Sequence, residues 1–124
     1  MTKKIEVSDE TYEKIKDQLT TKRELAEELD GMKYVIVRTY SAGVFAGYLE
    51  RRIGKEVVMR QARRLWYWEG AATLSQLAEE GVKKVSECKF PQEVDRVVLL
   101  EVIEILDVTK EAQESINSVV VWKE

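Results

Sequence analysis

The sequence predicts an α+β fold: a strongly curved antiparallel sheet, or small barrel, of about five strands with short helices packed on it. Three observations lead there. From residue 33 to residue 68 the chain is rich in β-branched and aromatic residues, and a short glycine-containing connection interrupts it; such a pattern reads as a long hairpin. The run RVVLLEVIEIL at 96–106 is apolar at both parities, as in a strand covered on both faces. Capped helical stretches lie on either side of these runs, and strands combined with short helices in one small chain build layered α+β domains.

Taken in order, Ile5 and Val7 alternate, and Ser8-Asp9-Glu10 offers a helix start, with a capping hydroxyl and acids at the positive end of the dipole. Tyr12, Ile15 and Leu19 then share one helical face. Thr21 to Glu24 has capping-box spacing, so a second short helix carrying Leu25 and Leu29 is expected, closed by Gly31. Residues 1–31 therefore read as a helical N-terminal segment and 33–124 as a β-rich core, within a single domain. KYVIVRTY opens the first strand. GVFAGYLERRI continues in that style, GKE turns the chain, and VVMRQARRLWYW returns. Gly43 and Gly47 beside and inside the first arm mark a bulge, a bend or a close backbone approach. The returning arm breaks its own alternation, which calls either for a bulge near Ala62 or for cover on both faces.

Gly70-Ala71-Ala72 is small enough to let the next connection press close. Thr73 and Gln76 then cap a short helix through Leu74, Leu77 and Ala78 that ends at Gly81. After the loop at Pro91, 96–106 reads as a central strand buried on both sides. A capped helix from Thr109 to about Ser118 leads to VVVW, read as a terminal strand. The order of elements is similar to that of Sm-like and SH3-like small barrels.

Composition narrows the function. The 124 residues are 44% hydrophobic and 35% charged with a net charge of −3, as in a folded chain with an ionised surface. No apolar run exceeds four residues, too short for a membrane span. The start lacks the apolar segment of a secretory signal, and the lone Cys88 cannot form an internal disulfide, so a reducing cytoplasm is expected. Histidine is absent, and with it the commonest general base and metal ligand. No phosphate-loop, dinucleotide or nucleophile-elbow pattern occurs either. These absences point to a non-enzymatic protein that needs no cofactor and no metal.

Charge is unevenly spread. Arg51 to Arg64 holds six basic residues against one acid, Glu56. Such a stretch either draws a phosphate-bearing ligand or keeps a strand edge from aggregating. It runs into ARRLWYWEGAA at 62–72, and RTYSAG at 38–43 begins the arm that would pair with it. Arginine forks suit phosphate, and aromatic rings suit the face of a base. The candidate ligand-binding residues are therefore Arg38, Tyr40, Ser41, Arg63, Arg64 and Tyr67. Trp66 and Trp68 are expected to support them from the core, since indoles bury readily.

VRTYSAGVFAGYLERRIGKEVVMRQARRLWYWEGAATLSQLAEEGV, CKFP, EVIEIL and the closing VVVW together resemble a family of small uncharacterised proteins of tailed bacteriophages, over residues 33–124. The resemblance implies a phage gene acting in the host bacterial cytoplasm. It implies no catalytic residue. The resulting expectation is a binding protein that sequesters a nucleotide-like small molecule in a host counter-defence role. Two alternatives stay open: a protein-binding inhibitor of a host protein, or small structural phage protein, using the same surface; and an Sm-like or OB-like nucleic-acid binder, which the acidic balance disfavours. A homo-oligomer, dimer or tetramer, is expected because 96–106 and VVVW offer apolar faces for a partner chain to cover.

Overall fold

Strand β1 (Lys33–Thr39) pairs with β2 (Val44–Ile53), and β2 pairs with β3 (Glu56–Arg64) around a turn at Gly54 and Lys55. The computed structural model describes residues 23–123. Helix α1 (Leu74–Glu80) and a short 3-10 turn at Val85–Glu87 follow, then β4 (Val94–Leu99), β5 (Val102–Asp107) and α2 (Lys110–Asn117). The strands form one antiparallel sheet in the order β4-β3-β2-β1-β5. The α+β expectation therefore holds at this level: a five-stranded antiparallel sheet with two short helices.

The helices begin where side-chain chemistry starts them. The Thr73 hydroxyl accepts from the Gln76 backbone N–H at 3.1 Å, and the Gln76 side chain reaches back to the Ala72 N–H at 2.9 Å. Thr109 caps α2 through the Ala112 N–H at 3.0 Å. Each cap satisfies a donor that the first helical turn would otherwise leave open.

Tyr34, Val35, Ile36 and Val37 are all buried, because β1 is covered on both faces. Val35 and Val37 join Phe45, Val57, Met59, Leu99 and Val102 in one cluster. Tyr34 and Ile36 join Ala46, Leu65 and Phe90 in the other, with Leu77 and Ala78 of α1 and Ala112 and Ile116 of α2. This chain itself thus supplies the cover on both faces of β1.

The bulge expected near Ala62 is present. Tyr48 pairs with Arg60 and Ala46 with Arg63, so β3 carries one extra residue, and Gln61 takes φ 50°. It lies opposite Gly47, where an added methyl would sit 2.8 Å from the Ala62 Cα. The extra residue reverses the parity of everything beyond it. Ala62 consequently continues the Val57 and Met59 face, and Arg63 turns to the helices.

Three expectations are corrected. The stretch 96–106 is not a central strand: it divides into β4 and β5, the two edges of the sheet, joined by Leu100 and Glu101. Its apolar residues are accordingly unequal, and Leu100 is 67% exposed. The helix proposed through Leu25 and Leu29 is absent. Leu25 instead bridges Thr109, and Leu29 and Met32 exchange two backbone hydrogen bonds around Asp30 and Gly31. Both turn residues have positive φ, 52° and 80°, and Asp-Gly is a strong signal for so tight a hairpin turn. The closing VVVW forms no strand, only one parallel bridge between Val121 and Phe90. The proposed helix from Ser8 lies outside the described residues.

Candidate functional site

The six candidate residues do not share one surface. Thr39 organises the 39–43 turn: its backbone N–H and its hydroxyl donate to the Gly43 carbonyl at 3.0 and 2.8 Å, and its hydroxyl accepts from the Ala42 N–H at 2.8 Å. The Tyr40 N–H donates to the Glu101 carbonyl at 2.9 Å, which ties the turn to the β4–β5 corner. Tyr40 is 77% exposed. Ser41 lines a groove of about 350 Å³ with Thr39, Ala42, Val98, Leu99, Leu100 and Glu101, largely apolar but with one acid at the corner.

Arg64 stands close to this turn. It is paired across the strands with Phe45, and its guanidinium carbon lies 4.5 Å from the centre of that ring. A Cβ built on Gly43 would lie 3.9 Å from the Arg64 Nε. Among the described residues Arg64 has no ion-pair or side-chain hydrogen-bond partner. Its cation rests on a ring, an attraction worth about 0.5–1 kcal/mol at an exposed site, and none of its five donors is taken by a described side chain.

Arg38 points to the opposite face of the sheet from Phe45 and Arg64, since it pairs with Val44, one residue out of phase. Its Nε donates to Glu104 Oε1 at 2.8 Å. Tyr67 lies past the end of β3, bridged to Lys89, and its phenol donates to the Glu69 carboxylate. That hydrogen bond, with the nearby acid, holds the phenol above its ordinary pKa. The Lys89 ammonium sits 5.9 Å from the Tyr67 ring and 5.7 Å from that of Trp122.

Arg63 is the largest departure from expectation. The bulge sends it inward, where it is 7% exposed. Its Nε donates to the Pro91 carbonyl at 2.9 Å, Nη1 to Ile116 at 3.0 Å, and Nη2 to Phe90 at 3.1 Å and Val119 at 2.7 Å. The Phe90 ring lies 5.5 Å from the guanidinium carbon. Two of these acceptors belong to the C-terminal end of α2 and the residues after it, where a cation complements the helix dipole. Desolvation lowers the Arg63 pKa, yet guanidinium remains charged at any working pH. This arginine is structural, and its fork is spent on the backbone.

The tryptophans also differ from expectation. Trp68 is half-buried against the helix-side cluster, but Trp66 is 63% exposed. The reason is the end of β3 at Arg64: beyond it the chain no longer alternates, so shared parity no longer means a shared face. Trp66→Ala should therefore lower stability by less than about 1 kcal/mol, to be measured by urea denaturation. A loss of several kcal/mol would contradict the exposed placement.

Sequence reasoning did not find a second concavity, a polar cleft of about 380 Å³ on the helix side of β1–β3. Tyr34, Tyr48, Gln61, Glu93, Gln113 and Asn117 line it, above Arg63. Tyr34 and Tyr48 are a cross-strand pair with rings edge to face at 5.1 Å, and the Gln113 amide donates to the Tyr48 oxygen at 3.1 Å. The tyrosine pairing joins β1 and β2, a stretch that reads in the sequence as one continuing arm. The carboxamides come from separate elements with no local pattern.

Residues 32–116 match the model of a family described as a domain of unknown function (DUF6948). The chain belongs to the DUF6948 family. The matched DUF6948 span holds all five strands, α1 and nearly all of α2, the whole groove beside the 39–43 turn, and the polar cleft except for Asn117, Val119 and Val121. No curated protein and no solved structure matches. Among the described residues of this DUF6948 member, no group of three or more acids and cysteine is placed to hold a metal ion, and no helix is long and apolar enough to cross a membrane.

Proposed function

We propose that this protein is a non-enzymatic binding protein that sequesters a phosphate-bearing, nucleotide-like small molecule at the 39–43 turn. The observation that carries the reading is Arg64, a guanidinium held over Phe45 with its donors taken by no described side chain, against the turn whose Ser41 lines the neighbouring groove. Such a fork binds phosphate by charge-assisted hydrogen bonds, and the apolar groove suits a base or sugar. The counter-defence role in a bacterial host rests on the resemblance to phage proteins.

The strand order supports a strongly curved sheet, close to a small barrel. In a flat sheet β4 and β5 would stand four spacings, about 19 Å, apart. From Leu99 to Val102 the chain can reach about 11 Å at most. Hydrogen bonds from Val102 N–H to Lys55 and from Tyr40 N–H to Glu101 pin this corner to the hairpin turn and to the end of β1. Curvature of this kind would account for the groove between the 39–43 turn and Val98–Glu101.

Calorimetric titration with a panel of mono-, di- and cyclic nucleotides tests the reading. At least one should bind, and Arg64→Ala should weaken it about 10- to 100-fold, the worth of one charge-assisted bond, while the thermal midpoint stays near that of the parent. Equal binding by Arg64→Ala, or silence across the panel, would discard it.

The exposed apolar side chains of Tyr40, Val98, Leu100 and Ile103 favour a second reading, a protein interface. β4 and β5 each have one paired neighbour, so each offers an open edge to another chain. Sedimentation velocity at micromolar concentration should then report a dimer or tetramer. A monomer throughout would remove self-association.

A further inference from the structure

The cleft between β1–β3 and α2 lies on the other face of the sheet from Arg64 and Phe45, and it is built differently. Tyr34 is 7% exposed. Among the described residues its hydroxyl has no hydrogen-bond partner, although its side chain lines the cleft. Burial above all, with Tyr48 and Glu93 adding to it, raises the Tyr34 pKa, so the phenol keeps its proton. A buried hydroxyl without a partner is costly, and a ligand acceptor would remove that cost.

Charge on the lining selects the class of ligand. Glu93 supplies the one carboxylate, and the single guanidinium, Arg63, is already committed to four carbonyls. What remains are Gln61, Gln92, Gln113 and Asn117, each offering donors and an acceptor from one planar group. Gln113 spends one N–H on Tyr48 and keeps its oxygen. A phosphate gains little here. A flat ring with donors and acceptors along one edge matches carboxamides in the way asparagine and glutamine match base edges. The volume of about 380 Å³ suits one such ring system with a sugar.

We propose that this cleft is a binding site for an uncharged nucleobase or nucleoside, read by the carboxamides and the Tyr34 hydroxyl, and separate from the Arg64 site. Titration of the full chain with adenosine, guanosine, cytidine and uridine, and with ribose and glucose, tests it. At least one nucleoside should bind. Tyr34→Phe should weaken that binding at least tenfold while leaving the thermal midpoint without ligand unchanged or higher, a combination that a merely structural hydroxyl would not produce. Gln61→Asn, which suits the positive φ and shortens the reach of the amide, should weaken it comparably, and Arg64→Ala should leave it unaltered. Failure of all four nucleosides at millimolar concentration would overturn the proposal, as would wild-type binding by both cleft variants. Ribose or glucose binding as tightly as the nucleosides would overturn the base reading, and a lower midpoint for Tyr34→Phe would show that its hydroxyl is already bonded. A nucleotide effect lost with Arg64→Ala bears only on the turn.

Discussion

Arg63→Ala should destabilise the fold by about 4 kcal/mol or more, the largest loss expected from any single side chain. Each bond from a charged donor is worth about 1.5–3 kcal/mol, and this guanidinium makes four, to Phe90, Pro91, Ile116 and Val119. The bonds are not additive, because they share one group and the vacated space admits some water. Their loss nevertheless leaves the Pro91 and Val119 carbonyls, from two separate segments, without a donor among the described residues, while the Phe90 and Ile116 carbonyls keep the Trp122 and Val119 backbone N–H groups. Urea denaturation should show the midpoint falling with little change in slope. Arg63→Lys keeps the charge but not the planar fork, and should recover only part of the loss. An alanine variant within about 1 kcal/mol of the parent would mean that the guanidinium acts as an exposed charge, and the structural role of Arg63 would fail.

Gly70→Ala should cost about 3 kcal/mol or more. Gly70 takes φ 91°, and an added methyl would lie 2.4 Å from the Lys84 nitrogen and 2.5 Å from that of Lys83. Those atoms are backbone, and the Lys83 N–H already donates to the Gly70 carbonyl at 3.2 Å, so neither strand of the contact gives way easily. Conformational strain and overlap therefore act together. A fall of roughly 10 °C in the thermal midpoint is the expected reading for a chain of this size. A shift of one or two degrees would show that the 83–84 segment moves aside.

Much of this architecture was legible in the residues, for identifiable reasons. The β2–β3 hairpin announces itself because Val44, Phe45, Tyr48 and Ile53 mark one arm, Val57 and Val58 open the other, and Gly54 punctuates them. Both helices are readable from Thr73 and Thr109, whose hydroxyls meet an N–H three residues on. The bulge was visible as a break in alternation, but its consequence was not. A local pattern shows that parity shifts, and only the packing of β3 against α2 says which arginine then goes inside. Arg63 and Arg64 are chemically identical neighbours with opposite fates. The 96–106 run misled because a pair of edge strands and one central strand have the same apolar content, and the distinction lies at Leu100 and Glu101, where no glycine or proline marks the corner. The cleft was hidden since its polar residues come from β1, β2, β3, α2 and the segment before β4.

The acceptors of Arg63 have a consequence for the order in which the protein is made. All four lie between residues 90 and 119, whereas the hairpin that carries the arginine is complete by residue 64. Synthesis runs at about 5–20 residues per second, so for several seconds the ribosome presents a finished β2–β3 ribbon whose inward arginine has nothing to grip. β1, complete by residue 39, waits longer still for β5 at Val102–Asp107. The early ribbon therefore has reason to stay solvated until the segments from Phe90 to Val119 are available, with the residues after α2 as the latch.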